Sequence, residues 1–193
     1  MSTHIVITGA SRGIGAAIAA ALAADGANIV ALSSADGDLA DPATPARLWQ
    51  QSLDRLDGRI DVLVNNAGVF ESNPLDASDA DWLASWNRTM QVNLTASAEF
   101  CRHAVLHWQA RRAAGEAGGG RLVNIASRAA YRGDKPAHWH YAASKAGMVA
   151  MTKTIARGYA NQAILAFAIC PGFTMTGMAD DYLASRGGDK LLA

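Results

Sequence analysis

A short apolar run, His4 to Thr8, leads directly into a turn holding Gly9, Gly13 and Gly15, and then into the alanine-rich stretch Ala16 to Ala24. A strand that bends sharply into a helix through glycines leaves few folds open. Glycines allow the tight bend and let a ligand approach the backbone. The helix start supplies amides and the positive end of a dipole, a ready site for an anion. The spacing here is G-x-x-x-G-x-G, in Gly9-Ala10-Ser11-Arg12-Gly13-Ile14-Gly15. Glycine spacing alone also suits a generic loop. The strand–turn–helix setting points instead to a dinucleotide pyrophosphate.

The rest of the chain continues the alternation. Ile14, Ile18 and Leu22 recur at helical spacing, and Gly26 stands where helices stop. Asn28 to Leu32 reads as a second strand, followed by a polar stretch from Ser33 to Pro45 and a helix from Ala46 to Leu56. Ile60 to Val64 reads as a strand ending in Asn65-Asn66-Ala67-Gly68. Asp79 to Ala113 predicts one long helix with Ser78 as its N-cap. After a glycine-rich break at 115–120 come a strand at Leu122–Ile125, a helix at Tyr141–Tyr159 and a strand at Ile164–Cys170. Strands alternating with helices imply an α/β fold, a doubly wound parallel sheet of Rossmann-like type.

Composition narrows the function classes. The chain has 193 residues, half of them apolar, a length that predicts a single domain over residues 1–193. Its 17 basic and 17 acidic side chains cancel, which argues against a nucleic-acid partner recruited by a basic field. Apolar runs stop well short of a membrane span, so no membrane partner is expected. Met1-Ser2-Thr3-His4 opens straight into a strand without the pattern of a leader, and Cys101 and Cys170 make no disulfide framework. The expectation is a cytoplasmic protein with two small buried thiols.

With the glycine turn come three further motifs in order: Asn65-Asn66-Ala67-Gly68 after a strand, Ser127 after another, and Tyr141-Ala142-Ala143-Ser144-Lys145 opening a helix. Pro171-Gly172 follows the last strand. Together these resemble the short-chain dehydrogenase/reductase family over residues 4 to about 180, most closely its 3-oxoacyl-[acyl-carrier-protein] reductase and sugar or alcohol dehydrogenase branches. Tyr141 and Lys145 are four apart on a helix and share a face. A phenol titrates at about 10 when unperturbed, and a nearby ammonium would lower that value. The resemblance makes Tyr141 the acid/base, Ser127 the residue that holds the substrate oxygen, and Lys145 a grip on the nicotinamide ribose. It adds Asn93, which would order a water in a relay to Lys145. A mid-helix Asn has modest helix propensity and needs a reason to be there.

The resemblance also assigns the cofactor groove: Gly9, Ser11, Arg12, Gly13, Ile14, Gly15, Ser33, Asp38, Leu39, Asn66, Ala67, Gly68, Pro171, Gly172, Thr174 and Thr176, with Tyr141 and Lys145. Ser33 stands where an acidic residue would bind the adenosine ribose of NAD, and Arg12 could face a 2′-phosphate. Both favour NADP(H), while Asp36 keeps NAD(H) open. The substrate wall would come from Phe70, Glu71, Arg128, Tyr131, Arg132, His138 and Trp139. That set suggests a small charged or hydroxylated carbonyl or alcohol. The pairs His138/His140 and His103/His107 invite a metal, but no acidic or Cys partner has ligand spacing, so none is expected. Homodimers or homotetramers are implied, through the Asp79–Ala113 and Tyr141–Tyr159 helices.

Two alternatives remain. One is a non-catalytic dinucleotide-binding or sensing protein of the same fold. The other is an unrelated doubly wound nucleotide binder, such as a methyltransferase. The chain is also short for its motifs. Only Ser33 to Gly37 separate the second strand from Asp38-Leu39, too few for a crossover helix. Either an irregular turn replaces that helix or a strand is vestigial. After Pro171-Gly172 only Met178 to Ala184 suggests a helix, and the apolar Leu191-Leu192-Ala193 suggests that the natural polypeptide is longer.

Overall fold

The computed structural model of the chain describes residues 2–116 and 119–174. Its sheet contains β1 (His4–Thr8), β2 (Asn28–Leu32), β3 (Val62–Asn65), β4 (Gly120–Ile125) and β5 (Ile164–Ile169). All pairings are parallel, in the order β2-β1-β3-β4-β5. The helices are α1 (Gly13–Ala24), α2 (Thr44–Arg55), α3 (Asp79–Met90), α4 (Ala96–Ala113), α5 (Ala129–Arg132) and α6 (Trp139–Tyr159). The doubly wound parallel sheet expected from the alternation is the fold found.

Alternate strand residues serve different layers, because successive side chains point to opposite faces. Ile5, Ile7, Val62 and Val64 pack beneath Ile18 and Leu22 of α1. Val6, Leu63 and Leu122 join Leu48 and Trp49 of α2 and Phe100 and Trp108 of α4. Trp108 is fixed by donating from Nε1 to the Ile60 carbonyl at 2.8 Å. Its ring fills the space that a side chain at Gly120 would need, so the glycine-rich break ends there for a steric reason. On the α1 face, Leu165, Phe167 and Ile169 of β5 remain exposed.

Local chemistry explains the ends. Gly26 has φ +82°, and the bonds Gly26 N–H to Ala23 O and Ala27 N–H to Leu22 O close α1 in a Schellman motif. Ser78 Oγ accepts from the Asp81 amide at 3.2 Å, the expected cap of α3. The stretch after β2 is the irregular turn of the two options. Asp36 Oδ2 accepts from Ser33 N and Ser33 Oγ, at 2.8 and 3.0 Å, and Asp38 and Asp41 close similar turns on Ala40 and Ala43. β2 is therefore an edge strand among the described residues.

The predicted long helix departs from expectation in its middle. Gln91–Thr95 is π-helical, separating α3 from α4. The short α5 and the 3-10 turn Pro136–His138 also escape the sequence reading, being too brief to show periodicity. The possible helix at Met178–Ala184 and the Leu191-Leu192-Ala193 end lie outside the described residues. No helix among those described is long and apolar enough to cross a membrane.

Candidate active site

β2 and β3 flank β1 on opposite sides, so the chain reverses direction across the sheet at β1. Open α/β sheets form a crevice at such a switch point, outside the carboxyl ends of the strands. A cleft of about 970 Å³ lies there. Ser11, Arg12, Gly13 and Ile14 line it with Gly9; Ser33, Asp38 and Leu39 follow β2; Asn66, Ala67 and Gly68 follow β3. Ser127 follows β4, Tyr141 and Lys145 come from α6, and Pro171, Gly172 and Thr174 follow β5. Gly15 sits behind this wall, and Thr176 lies outside the described residues.

The glycine turn is clamped to the end of β3. Thr8 Oγ1 accepts from the amides of Asn66 and Ala67, each at 3.0 Å. Asn66 Nδ2 donates to the carbonyls of Thr8 and Gly9, at 3.1 and 2.9 Å. Gly9 has φ +66°, and a Cβ on Gly15 would stand 2.3 Å from the Gly9 carbonyl oxygen. No side chain caps the start of α1, whose first turn borders the cleft. A backbone cradle this close, left open by its glycines, fits a dinucleotide pyrophosphate. Gly15→Ala should lower unfolding stability by about 2 kcal/mol through overpacking. Dinucleotide affinity should fall with it; urea titration and cofactor fluorescence would read the two effects.

Lys145 is buried, with 4% exposure, and its Nζ donates to the Ile125 carbonyl at 2.9 Å. Burial pushes its pKa down to about 8. Nζ lies 5.9 Å from the centre of the Tyr141 ring. The expected lowering of the Tyr141 pKa is not the direction found. Burial raises it, the neighbouring Ser127 side chain opposes the rise, and Asp134 adds to it. Desolvation penalises the phenolate, and that cost sets the direction.

Asn93 has its reason in the π-helical segment. The extra residue in that turn re-aims the side chain toward the loop after β3. Its Oδ1 accepts from the Val69 amide at 2.8 Å, and its Nδ2 donates to the Val69 carbonyl at 3.0 Å and to Ser144 Oγ at 3.2 Å. A Cβ on Gly68 would stand 3.3 Å from Asn93 Oδ1 and 3.5 Å from Lys145 Nζ. Asn93 and Lys145 thus approach the same glycine from two helical elements.

Of the expected substrate wall, Phe70, Arg128 and Arg132 line the cleft. Phe70 stacks on buried His138 at 4.4 Å between centroids and meets the Tyr141 ring edge-on at 4.7 Å. Glu71 stands outside the lining, ion-paired with Arg88. Tyr131 turns away toward Lys153, whose Nζ lies 5.8 Å from its ring centre, and Trp139 is exposed at the start of α6. Arg88, Val92, Asp134, Lys135 and Phe173 also line the cleft and were not expected. Arg88 and Val92 are four apart, a spacing that could have marked them as one face.

The histidine pair on α4 has structural work instead. His103 stacks on Trp49, and His107 Nε2 accepts from the Ile60 amide at 3.3 Å. Among the described residues, no group of three His, Cys, Asp or Glu is placed to hold a metal.

Comparison with known proteins follows the same lines. The profile described as short chain dehydrogenase matches residues 3–44 and 32–187. The short chain dehydrogenase adrF of Penicillium roqueforti is 33% identical over 90% of this chain and 70% of its own length. A 3-oxoacyl-[acyl-carrier-protein] reductase of Synechocystis is 34% identical over 91% of this chain and 76% of its own. The solved aldohexose dehydrogenase of Thermoplasma acidophilum superposes with a TM-score of 0.84 at 25% identity, covering 97% of this chain and 73% of that one. Strand order, switch-point cleft and sequence likeness agree that the chain belongs to the short-chain dehydrogenase/reductase family of oxidoreductases.

Proposed function

We propose that the protein transfers a hydride between a nicotinamide dinucleotide, NADP(H) in preference to NAD(H), and a small carbonyl compound or its secondary alcohol. The observation that carries this reading is the meeting of Ser127, Tyr141 and Lys145 with the glycine turn in one cleft. The nicotinamide, when bound, supplies or receives the hydride. On reduction the Tyr141 hydroxyl gives its proton to the carbonyl oxygen, and on oxidation it takes that proton back. Ser127 orients the same oxygen beside Tyr141. Lys145, held on the Ile125 carbonyl, brings a cation to the ribose side of the site. Asn93 fixes Val69 and so the Gly68 backbone that borders the cofactor groove. Assembly as a homodimer or homotetramer belongs to the same reading.

The preference for NADP(H) rests on Arg12 and Ser33, which line the cleft at its β1–β2 end. Asp36, the residue that kept NAD(H) open, accepts from Ser33 and is committed to the turn. NADPH should show a KM about tenfold below that of NADH, and Arg12→Ala should remove most of that advantage. The change in nicotinamide absorbance with a panel of carbonyls measures both. A clear preference for NADH overturns the cofactor assignment, and no turnover with either dinucleotide overturns the reaction.

A further inference from the structure

The cleft holds charge that hydride transfer does not need. Arg128 and Arg132 come directly after Ser127 and are four residues apart across α5, so they stand on one face a turn apart. Both line the cleft with Ser127 and Tyr141. Both are exposed, and among the described residues neither guanidinium has a hydrogen bond or an ion pair. The backbone beneath them is anchored. The Arg128 amide donates to the Pro171 carbonyl and the Arg132 amide to the Arg128 carbonyl, each at 3.2 Å.

Among the described residues, the charges near these two cations offset them only in part. Arg88 is already paired with Glu71. Asp134 lines the same wall with one negative charge, and its Oδ1 accepts from the Lys135 amide at 2.8 Å. Lys135 lines the same wall, so three cations and one carboxylate border the cleft there. The pair is also remote from the phosphate-binding end. Strand β4 lies two positions from β1 and three from β2. At about 4.8 Å per strand the end of β4, which leads into α5, is offset across the sheet by roughly 10 Å from the end of β1 and by roughly 14 Å from the end of β2.

We propose that the substrate carries an anionic group, a carboxylate or a phosphate, beside its carbonyl or alcohol, and that Arg128 and Arg132 hold it. This rests on the oxidoreductase reading of the same cleft. A guanidinium offers two parallel N–H donors that match either oxyanion. Two of them on one helix face, next to Ser127, fix the distance between the anion and the reacting oxygen. The pair therefore selects charged carbonyl compounds over neutral ones and orients them for Tyr141.

The test compares matched probes. With saturating NADPH, kcat/KM is measured for acetoacetate against methyl acetoacetate, and for dihydroxyacetone phosphate against dihydroxyacetone. The expected result is a charged-over-neutral ratio of about ten or more in one pair, and the pair that shows it tells carboxylate from phosphate. The Arg128→Ala, Arg132→Ala double variant brings that ratio close to one, and the double Lys variant restores part of it. Rising salt also lowers it. A ratio near one in the unaltered protein, or a ratio unmoved by the double Ala change, overturns the proposal. If no carbonyl is turned over, the oxidoreductase reading fails separately. Calorimetry with acetoacetate and dihydroxyacetone phosphate then reads the anion site alone. Binding lost in the double Ala variant supports the site, and no binding of either overturns it.

Discussion

Tyr141→Phe is expected to lower kcat by about three orders of magnitude and to leave dinucleotide affinity unchanged. The substitution removes only the hydroxyl. The ring stays, and with it the edge-on contact with Phe70, so the cleft wall keeps its shape. Burial raises the Tyr141 pKa, and Asp134 pushes it the same way. The hydroxyl therefore keeps its proton throughout the neutral range. Carbonyl reduction, which consumes that proton, should be flat across neutral pH. Alcohol oxidation needs the phenolate and should climb with pH on the alkaline side. Because Ser127 opposes the upward shift, Ser127→Ala should move the oxidation limb to still higher pH. Steady-state rates in both directions, with cofactor affinity from fluorescence titration, check these points. A Tyr141→Phe protein with undiminished turnover would remove Tyr141 from the chemistry.

The parts of this protein that could be read from sequence are those governed by local rules. His4–Thr8 and Asn28–Leu32 form strands over the predicted residues, because apolar β-branched runs bounded by glycine have few other uses. Gly26 and Ser78 end and start their helices through contacts only a few residues long. What escaped depends on contacts distant in sequence. The π-helical turn at Gln91–Thr95 exists where Asn93 reaches Val69, twenty-four residues earlier. No periodicity reports such a bond. The direction of the Tyr141 shift escaped for the same reason. Helical spacing to Lys145 was visible, but burial by the surrounding loops was not. Tyr131 and Trp139 lie near the substrate wall in sequence, yet α5 and α6 turn their rings outward. Asp36 shows the opposite case. Its position in the sequence leaves the side chain free to reach a ribose, but a turn with Ser33, three residues earlier, takes it up.

Lys145→Met should produce a protein that is inactive but more stable than the parent in the absence of cofactor. The ammonium is buried, and its folded pKa of about 8 lies below the ordinary 10.5. Below about pH 8 the lysine is protonated in both folded and unfolded chains, and the folded state carries the full cost of burying the charge. Between about 8 and 10.5 the folded chain has released the proton and the unfolded chain has not, so stability rises with pH. Above 10.5 both are neutral and that pH dependence ends. A depression of this size corresponds to about 3 kcal/mol. Removing Nζ also breaks its bond to the Ile125 carbonyl, which offsets about 1 kcal/mol. The net gain at neutral pH is therefore about 2 kcal/mol, and it turns into a loss of about 1 kcal/mol once the pH has passed the lysine range. Denaturant unfolding of both proteins at a series of pH values measures it. A fold that retains a buried cation at this cost holds it for its chemistry rather than for stability. If Lys145→Met is instead the less stable protein at pH 7, the Ile125 bond outweighs the burial, and Lys145 is a structural anchor first.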